Sequence, residues 1–136
     1  MIDTSKINKK RVQNLVDALR SGKYKQTFGR LRKNDCYCVM GVACDVSQVV
    51  NWVNCHSGVM SEFYRYDDCA ATLPRSVLKY YGFNIDRSII PVMKDGKEKS
   101  IASLNDSDEL PFSELADLIE ETYLKSTQIT MRADKE

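Results

Sequence analysis

Val12, Leu15, Val16 and Leu19 recur at i, i+3, i+4 and i+7, which puts four apolar side chains on one helical face. Gly22 stands where a helix can end in the left-handed conformation, so the spacing predicts a first helix over 5–21. The period then changes. In "KYKQTFGRLRKND", Phe28, Arg30 and Arg32 alternate against Leu31 and the closing Lys-Asn-Asp is a turn signal, which predicts a short strand over 27–33. The next stretch, "CYCVMGVACDVSQVVNWV", fits two periods. On a wheel of about 100° per residue, Val39, Val42, Ala43, Val46, Val50 and Val53 fall within about 100°, as on an amphipathic helix. Cys38, Met40, Val42, Cys44 and Val46 also alternate as in a strand, but a strand over 36–53 exceeds the usual length of roughly 3–10 residues. A helix is therefore expected there, with Asp35 near its N-terminus as a cap.

The segment 54–72 contains "NCHSG" and "YRYDDC" without a sustained period and reads as an irregular excursion, of the kind that forms binding loops. In "LPRSVLKYYGF", Pro74 suits a first helical turn, Val77, Leu78 and Tyr81 share one side, and Gly82 terminates. "SIIPVMKDGKEKSIASL" places two apolar runs around Asp95-Gly96, a turn pair that tolerates positive φ, so a hairpin is expected near 88–104. Pro91 has no N–H for a ladder and puts the first of these strands at an edge. Phe112, Leu115, Ala116, Ile119 and Tyr123 give a last helical face, entered through Pro111 with acids in its first turns. The pattern as a whole predicts an α+β fold of about four helices with a small antiparallel sheet, one compact domain over 1–125, and a tail over 126–136 that frays.

Composition fits that reading. A chain of 136 residues with 43% hydrophobic and 29% charged residues supplies one ordinary core. No apolar run approaches the roughly 20 residues that span a bilayer, and "MIDTSKINKKRVQ" lacks the apolar stretch of a secretory signal. A cytoplasmic protein without a membrane partner is expected, in which five cysteines are thiols rather than a disulfide framework. The net charge of +1 conceals a separation. Residues 1–34 hold ten Lys or Arg against Asp3 and Asp17, a net +8 that leaves −7 for the remainder, and 106–121 holds seven acids and no base. Such halves attract one another within a fold or between subunits, or present an anion-binding surface. Lys9, Lys10 and Arg11 oppose the positive end of the predicted first helix, at about 0.3–1 kcal/mol each if exposed, which suggests a partner for them.

"ALRSGKYKQ" at 18–26, "CVMGVACD" at 38–45, "LPRSVLKYYGF" at 73–83, "LND" at 104–106 and "PFSELADLIEE" at 111–121 stand in the order found in a family of small phage and prophage proteins, which the chain resembles over most of its length except roughly 47–72. Where that family usually has paired cysteines this sequence has Cys38 then Val39, and Tyr80 or Tyr81 stands where it often has a tryptophan. A cysteine replaced by valine suits packing better than catalysis. The resemblance implies a phage origin and an accessory role, without a reaction.

The chemistry-bearing residues favour binding. Cys36, Cys38, Cys44, Cys55, His56 and Cys69 are numerous enough for zinc, but their C-x-C, x5, x10 and x12 spacings lack the two short pairs of structural sites, and Cys38 and Cys44 lie about 120° apart on the predicted helix. Cys36 or Cys38 at a helix N-terminus with His56 as base is a conceivable nucleophile, although nothing in the spacing demands it, and thiols packing as small hydrophobes explain the same residues. Asp106, Asp108 and Glu109 can bind a cation or simply complement a helix N-terminus. Neither G-x-x-x-x-G-K-[ST] nor G-x-G-x-x-G occurs. The segment 23–33 interleaves Tyr24 and Phe28 with Lys23, Lys25, Arg30, Arg32 and Lys33, a mixture that stacks on bases and neutralises phosphates, or forms a solvated basic strand over core aromatics.

The expectation is a non-enzymatic phage accessory protein in the host bacterial cytoplasm, with neither cofactor nor metal. It would act in host takeover or defence evasion by occupying a host immune protein or sequestering a nucleotide signal. Lys23, Lys25, Arg30 and Arg32 are the candidate ligand contacts, with Tyr24 or Phe28 stacking. Nucleic-acid binding by the same segment is the alternative, against which stand a sequence pI near 7.6 and the acidic last helix, and a cysteine- or zinc-dependent protein is a third. Separated charge and apolar helix faces also permit a homo-oligomer.

Overall fold

Helix α1 (Lys9–Arg20) begins later than its apolar pattern predicts because Asn8 takes the N-cap position, its side-chain oxygen accepting from the Arg11 N–H at 3.1 Å. A computed structural model describes residues 2–56, 62–87 and 89–125. Val12, Leu15, Val16 and Leu19 are all buried, and they carry α1 against the later helices Val39–Ser47, Arg75–Tyr81 and Phe112–Ile119. Arg11 finds its partner inside the fold: Nη1 donates to the Tyr80 carbonyl at 2.8 Å and the guanidinium lies 4.2 Å from the Tyr80 ring centroid. One of the three cations at the helix start thus satisfies a carbonyl at the end of another helix.

The expected strand over 27–33 is interrupted. β1 (Lys25–Gln26) and β2 (Arg32–Lys33) flank a loop in which Gly29 has φ +82° and donates to Asp106 Oδ1 at 3.0 Å. Leu31 is buried in that loop, its N–H bonded to the Ala70 carbonyl at 2.8 Å and its carbonyl receiving the Cys38 N–H at 3.1 Å.

The single helix expected over 36–53 divides into three elements. β3 (Cys36–Tyr37) comes first and α2 (Val39–Ser47) second, capped by the Cys38 sulfur, which accepts from the Gly41 N–H at 3.4 Å; Asp35 is not the cap. Gln48 ends α2 in the left-handed conformation, and the chain then enters β4 (Trp52–His56), where Val53 is 58% exposed instead of lying on a buried stripe. Residues Val39 to Cys44 are all buried, so the first turns of α2 are enclosed on every side, while Asp45 and Val46 after them are half-buried.

The segment read as irregular pairs as well. β4 and β5 (Glu62–Tyr66) form the longest antiparallel pair of the larger sheet, with Trp52 opposite Tyr66 and Asn54 opposite Tyr64. The sheet order is β1-β3-β2-β5-β4, and it is mixed rather than antiparallel, because β1 runs parallel to β3. α3 (Arg75–Tyr81) follows with Gly82 at φ +86° behind it, and a Cβ on Gly82 would stand 2.0 Å from the Lys6 carbonyl oxygen.

The Asp95-Gly96 hairpin forms as predicted between β6 (Pro91–Lys94) and β7 (Lys97–Ser100), with φ +55° and +78° in the turn. Its second strand is shorter than expected, since Ser100 caps α4 (Ile101–Asp106). α5 (Phe112–Ile119) continues as a π-helical turn (Glu120–Lys125), where Thr122 accepts the Met93 N–H at 3.0 Å and the Tyr123 hydroxyl donates to the Pro91 carbonyl. These two bonds anchor the hairpin. The architecture is a compact α+β fold with five α-helices among the described residues, a five-stranded mixed sheet and a two-stranded hairpin. The tail expected to fray beyond residue 125 lies outside the described residues. No helix among the described residues is long and apolar enough to cross a membrane.

Candidate ligand-binding site

Strand alternation sorts the larger sheet into two faces. Arg32 opposes Tyr37 on one side and Tyr64 on the other, and Tyr64 opposes Asn54, so Arg32, Tyr37, Trp52, Tyr64 and Tyr66 share a face. Their rings form a chain of edge contacts: Tyr24 to Tyr37 at 5.0 Å, Tyr37 to Trp52 at 5.9 Å and Trp52 to Tyr64 at 6.3 Å between centroids. The Arg32 guanidinium lies inside this array, 3.9 Å from the Tyr64 centroid, 5.1 Å from Tyr37 and 5.6 Å from Trp52. Its Nε donates to the Asn34 carbonyl at 3.0 Å, and its carboxylate contact is long, 3.9 Å to Asp35, whose side chain is 96% exposed. Three rings hold the cation, and among the described residues this long contact is its carboxylate partner.

Asp45, the last residue of "CVMGVACD", fixes two of those rings. Oδ2 accepts from the Tyr24 hydroxyl at 2.5 Å and Oδ1 from the Trp52 indole N–H at 3.0 Å. Desolvation, followed by the bond to Asp45, pushes the Tyr24 hydroxyl far above its ordinary pKa, and desolvation raises Tyr37. Both phenols stay neutral donors at physiological pH. Beside Trp52 opens a polar cleft of about 410 Å³ lined by Asp45, Gln48, Val50, Asn51, Trp52 and Tyr66. Tyr66 closes its floor, accepting the Val50 N–H at 3.1 Å and meeting Ser47 Oγ at 3.4 Å. Trp52 therefore borders both the cleft and the arginine, so one ligand can touch both.

The predicted contact residues are divided by the fold. Tyr24 and Arg32 reach the aromatic face. Arg30 stacks 4.1 Å over Phe63, which alternation assigns to the opposite face. Lys23 and Lys25 are exposed beside the array, in the turn after α1 and on β1. Phe28, 44% exposed, belongs to the interrupted loop and lies outside the ring chain. Tyr37, Asp45, Gln48, Asn51, Trp52 and Tyr64 join the site without having been singled out. The alternation of Tyr64 with Tyr66, inside the segment read as aperiodic, and of Trp52 with Asn54, across its border with the expected helix, carried the signal.

The cysteines take packing and capping roles. Burial pushes the Cys38 thiol up to about 11 and Cys44 well above its ordinary value, which keeps both protonated. Cys36, Cys55 and Cys69 are half-buried thiols, and no three His, Cys, Asp or Glu side chains group as metal ligands among the described residues.

Two of the motifs quoted from the sequence thus serve the site: "CVMGVACD" in α2 supplies Asp45, and "LND" at the end of α4 ties down the loop before Arg32. Comparison with curated proteins and with solved structures gives no match. Residues 6–123, which include every element from α1 to the π-helical turn as far as Tyr123, match the family described as a domain of unknown function (DUF8296), and the chain belongs to that family.

Proposed function

We propose that the chain is a non-enzymatic binding protein whose aromatic sheet face and adjoining cleft take up a nucleotide, and that it serves as a phage-encoded accessory protein that withholds a nucleotide signal from host defence. The observation that carries the binding site is Arg32, stacked on Tyr64 within reach of Tyr37 and Trp52, whose carboxylate contact among the described residues is the long one to exposed Asp35. A cation set among aromatic rings beside a polar cleft suits a flat base joined to a phosphate. Gln48 and Asn51 offer amides to base edges, and the exposed Lys23 and Lys25 add positive potential nearby. The phage setting rests on the order of the sequence motifs, and the non-enzymatic reading is supported by the buried, protonated thiols of Cys38 at the head of α2 and Cys44 within it.

Trp52 is the chain's single tryptophan, so its fluorescence reports the site directly. Titration with a panel of linear and cyclic nucleotides is expected to quench it and raise the melting temperature. R32A should weaken binding at least tenfold, and R32K should restore it only in part because an ammonium lacks the planar stack. No response to any nucleotide up to about 1 mM, a range that covers weak sites, or unchanged affinity in R32A, overturns the reading. Tighter binding of single-stranded DNA with a steep salt dependence would move it to nucleic-acid binding.

A further inference from the structure

A second cleft, of about 480 Å³, opens between the segment 3–6 ahead of α1 and the last turn of α3 with the residues that follow it. It shares no lining residue with the cleft beside Trp52. Each of its walls carries one charge of either sign. Asp3 and Lys6 stand on the first and Lys79 and Asp86 on the second, all four exposed, and among the described residues no ion pair joins any two of them. Buried Phe83 and half-buried Ile85 supply the apolar part of the lining.

Hydrogen bonds hold both walls in place. The Asp3 carboxylate accepts the Ser5 N–H at 2.9 Å, and the Asn8 N–H donates to the Tyr81 carbonyl at 2.9 Å, which ties the first wall to α3. On the second wall the Asn84 side-chain oxygen accepts the Asp86 N–H at 2.9 Å and the Asn84 carbonyl accepts the Arg87 N–H at 3.1 Å. The walls meet at Gly82, where the Lys6 carbonyl oxygen lies 2.0 Å from the place a Cβ would take. The cleft is thus formed in advance, and its volume falls in the range of roughly 300–1,000 Å³ usual for small-ligand sites. A simple anion entering it meets Asp3 and Asp86, and a simple cation meets Lys6 and Lys79. A neutral apolar molecule displaces water from all four charges without replacing it. A molecule that carries both charges complements both pairs. We infer that the cleft binds a small zwitterion with an apolar body, an α-amino acid bearing an aliphatic or aromatic side chain. Its carboxylate meets Lys6 and Lys79, its ammonium meets Asp3 and Asp86, and its side chain rests on Phe83 and Ile85. This site is separate from the nucleotide cleft and does not depend on it.

The test uses the full chain and four probes: L-phenylalanine, phenethylamine, which lacks the carboxylate, 3-phenylpropionate, which lacks the ammonium, and glycine, which lacks the apolar body. Binding is read by amide chemical shifts in NMR titrations. L-phenylalanine is expected to bind and to shift the amides of residues 3–6 and 79–86, with each of the other probes at least tenfold weaker. Two double variants, both checked for folding by circular dichroism, assign the charges. K6Q/K79Q should weaken L-phenylalanine at least tenfold and bind it no better than phenethylamine. D3N/D86N should weaken it as much and bind it no better than 3-phenylpropionate. If one double variant unfolds the chain, the other carries the test together with the probes. R32A should leave L-phenylalanine binding unchanged, which separates this cleft from the nucleotide site. No binding of L-phenylalanine up to about 10 mM, beyond the millimolar range of weak sites, overturns the inference. So do equal binding of phenethylamine or 3-phenylpropionate by the unmodified chain, shifts confined to other residues, and unchanged affinity in a folded double variant.

Discussion

Gly41 shows how a single missing side chain sets the centre of the molecule. A Cβ there would stand 1.8 Å from the Leu31 carbonyl oxygen, and that same oxygen accepts the Cys38 N–H at 3.1 Å. The helix and the loop before β2 are pressed together at this point, with the Cys38 sulfur capping the Gly41 N–H. G41A is expected to destabilise by at least the upper end of the roughly 1–3 kcal/mol typical of overpacking, despite alanine's better helix propensity. G22A is the comparison: Gly22 has φ +78° but nothing within 4 Å of its virtual Cβ, so only backbone strain of about 1–2 kcal/mol is added. Urea unfolding of both variants checks this, and equal losses would show that the close approach at Leu31 is not what requires Gly41. The glycine was visible in "CVMGVACD", but its neighbour across the chain was not.

At the scale of elements, Asn105 does what the "LND" motif only hinted at. It is fully buried in α4, its oxygen accepting from Gln26 Nε2 at 2.9 Å and from the Val39 N–H at 3.2 Å, and its amide donating to the Thr27 carbonyl at 3.1 Å and to Asp106 at 2.8 Å. One side chain joins β1, the interrupted loop, the start of α2 and α4. N105A leaves the Val39 N–H and the Thr27 carbonyl without that partner, and the expected loss is at least about 2 kcal/mol, given roughly 1–3 kcal/mol per buried unsatisfied group. N105D keeps the shape but replaces the donating amide by a second acceptor facing the Thr27 carbonyl and Asp106, so it should not rescue. Chemical denaturation measures both variants, and wild-type stability in N105A would remove Asn105 as a hub. Helices α1, α3 and α5 were legible because each carries its own stripe, with a cap or stop nearby. α2 was located but overextended: Val46, Val50 and Val53 continue its period, while Gln48 at φ +52° and the Val50 N–H bonded to Tyr66 end it. The β4–β5 pair was missed because neither strand buries a complete face, which is the alternation that sequence reading detects.

Over the whole molecule, the charge separation is partly closed by Arg20, which reaches across to α5 and the π-helical turn: 2.6 Å to Asp117 and 3.1 Å to Glu120. The hydrogen bond from Arg20 holds the Glu120 carboxyl below its ordinary value of 4.5 and holds the guanidinium above its own. A carboxyl depressed in the folded state contributes stability above its unfolded value, and that contribution is lost as pH falls through the folded value. Stability should therefore drop below about pH 4.5, a fall to which Glu98 adds in the same direction through Arg87. In R20Q the fall should be shallower, with lower stability than wild type at pH 7 and convergence in acid. Urea midpoints between about pH 3 and 7 decide it, since parallel curves would show that the bridge contributes nothing.

What the sequence alone determined are properties carried by neighbours along the chain: the α+β class, the stripes of α1, α3 and α5, the Asp95-Gly96 turn and the basic run before Cys36. Caps, turns and helical faces are set within a few residues, so local pattern suffices for them. Only the tertiary structure decided that Arg32 and Arg30 part to opposite faces, that Trp52 and Tyr64 join Arg32, and that Asp45 and Asn105 hold the site in place. Those outcomes depend on which strand pairs with which and in what register, and a one-residue slip would exchange the two faces. Register is a contact between distant segments, and no local spacing encodes it.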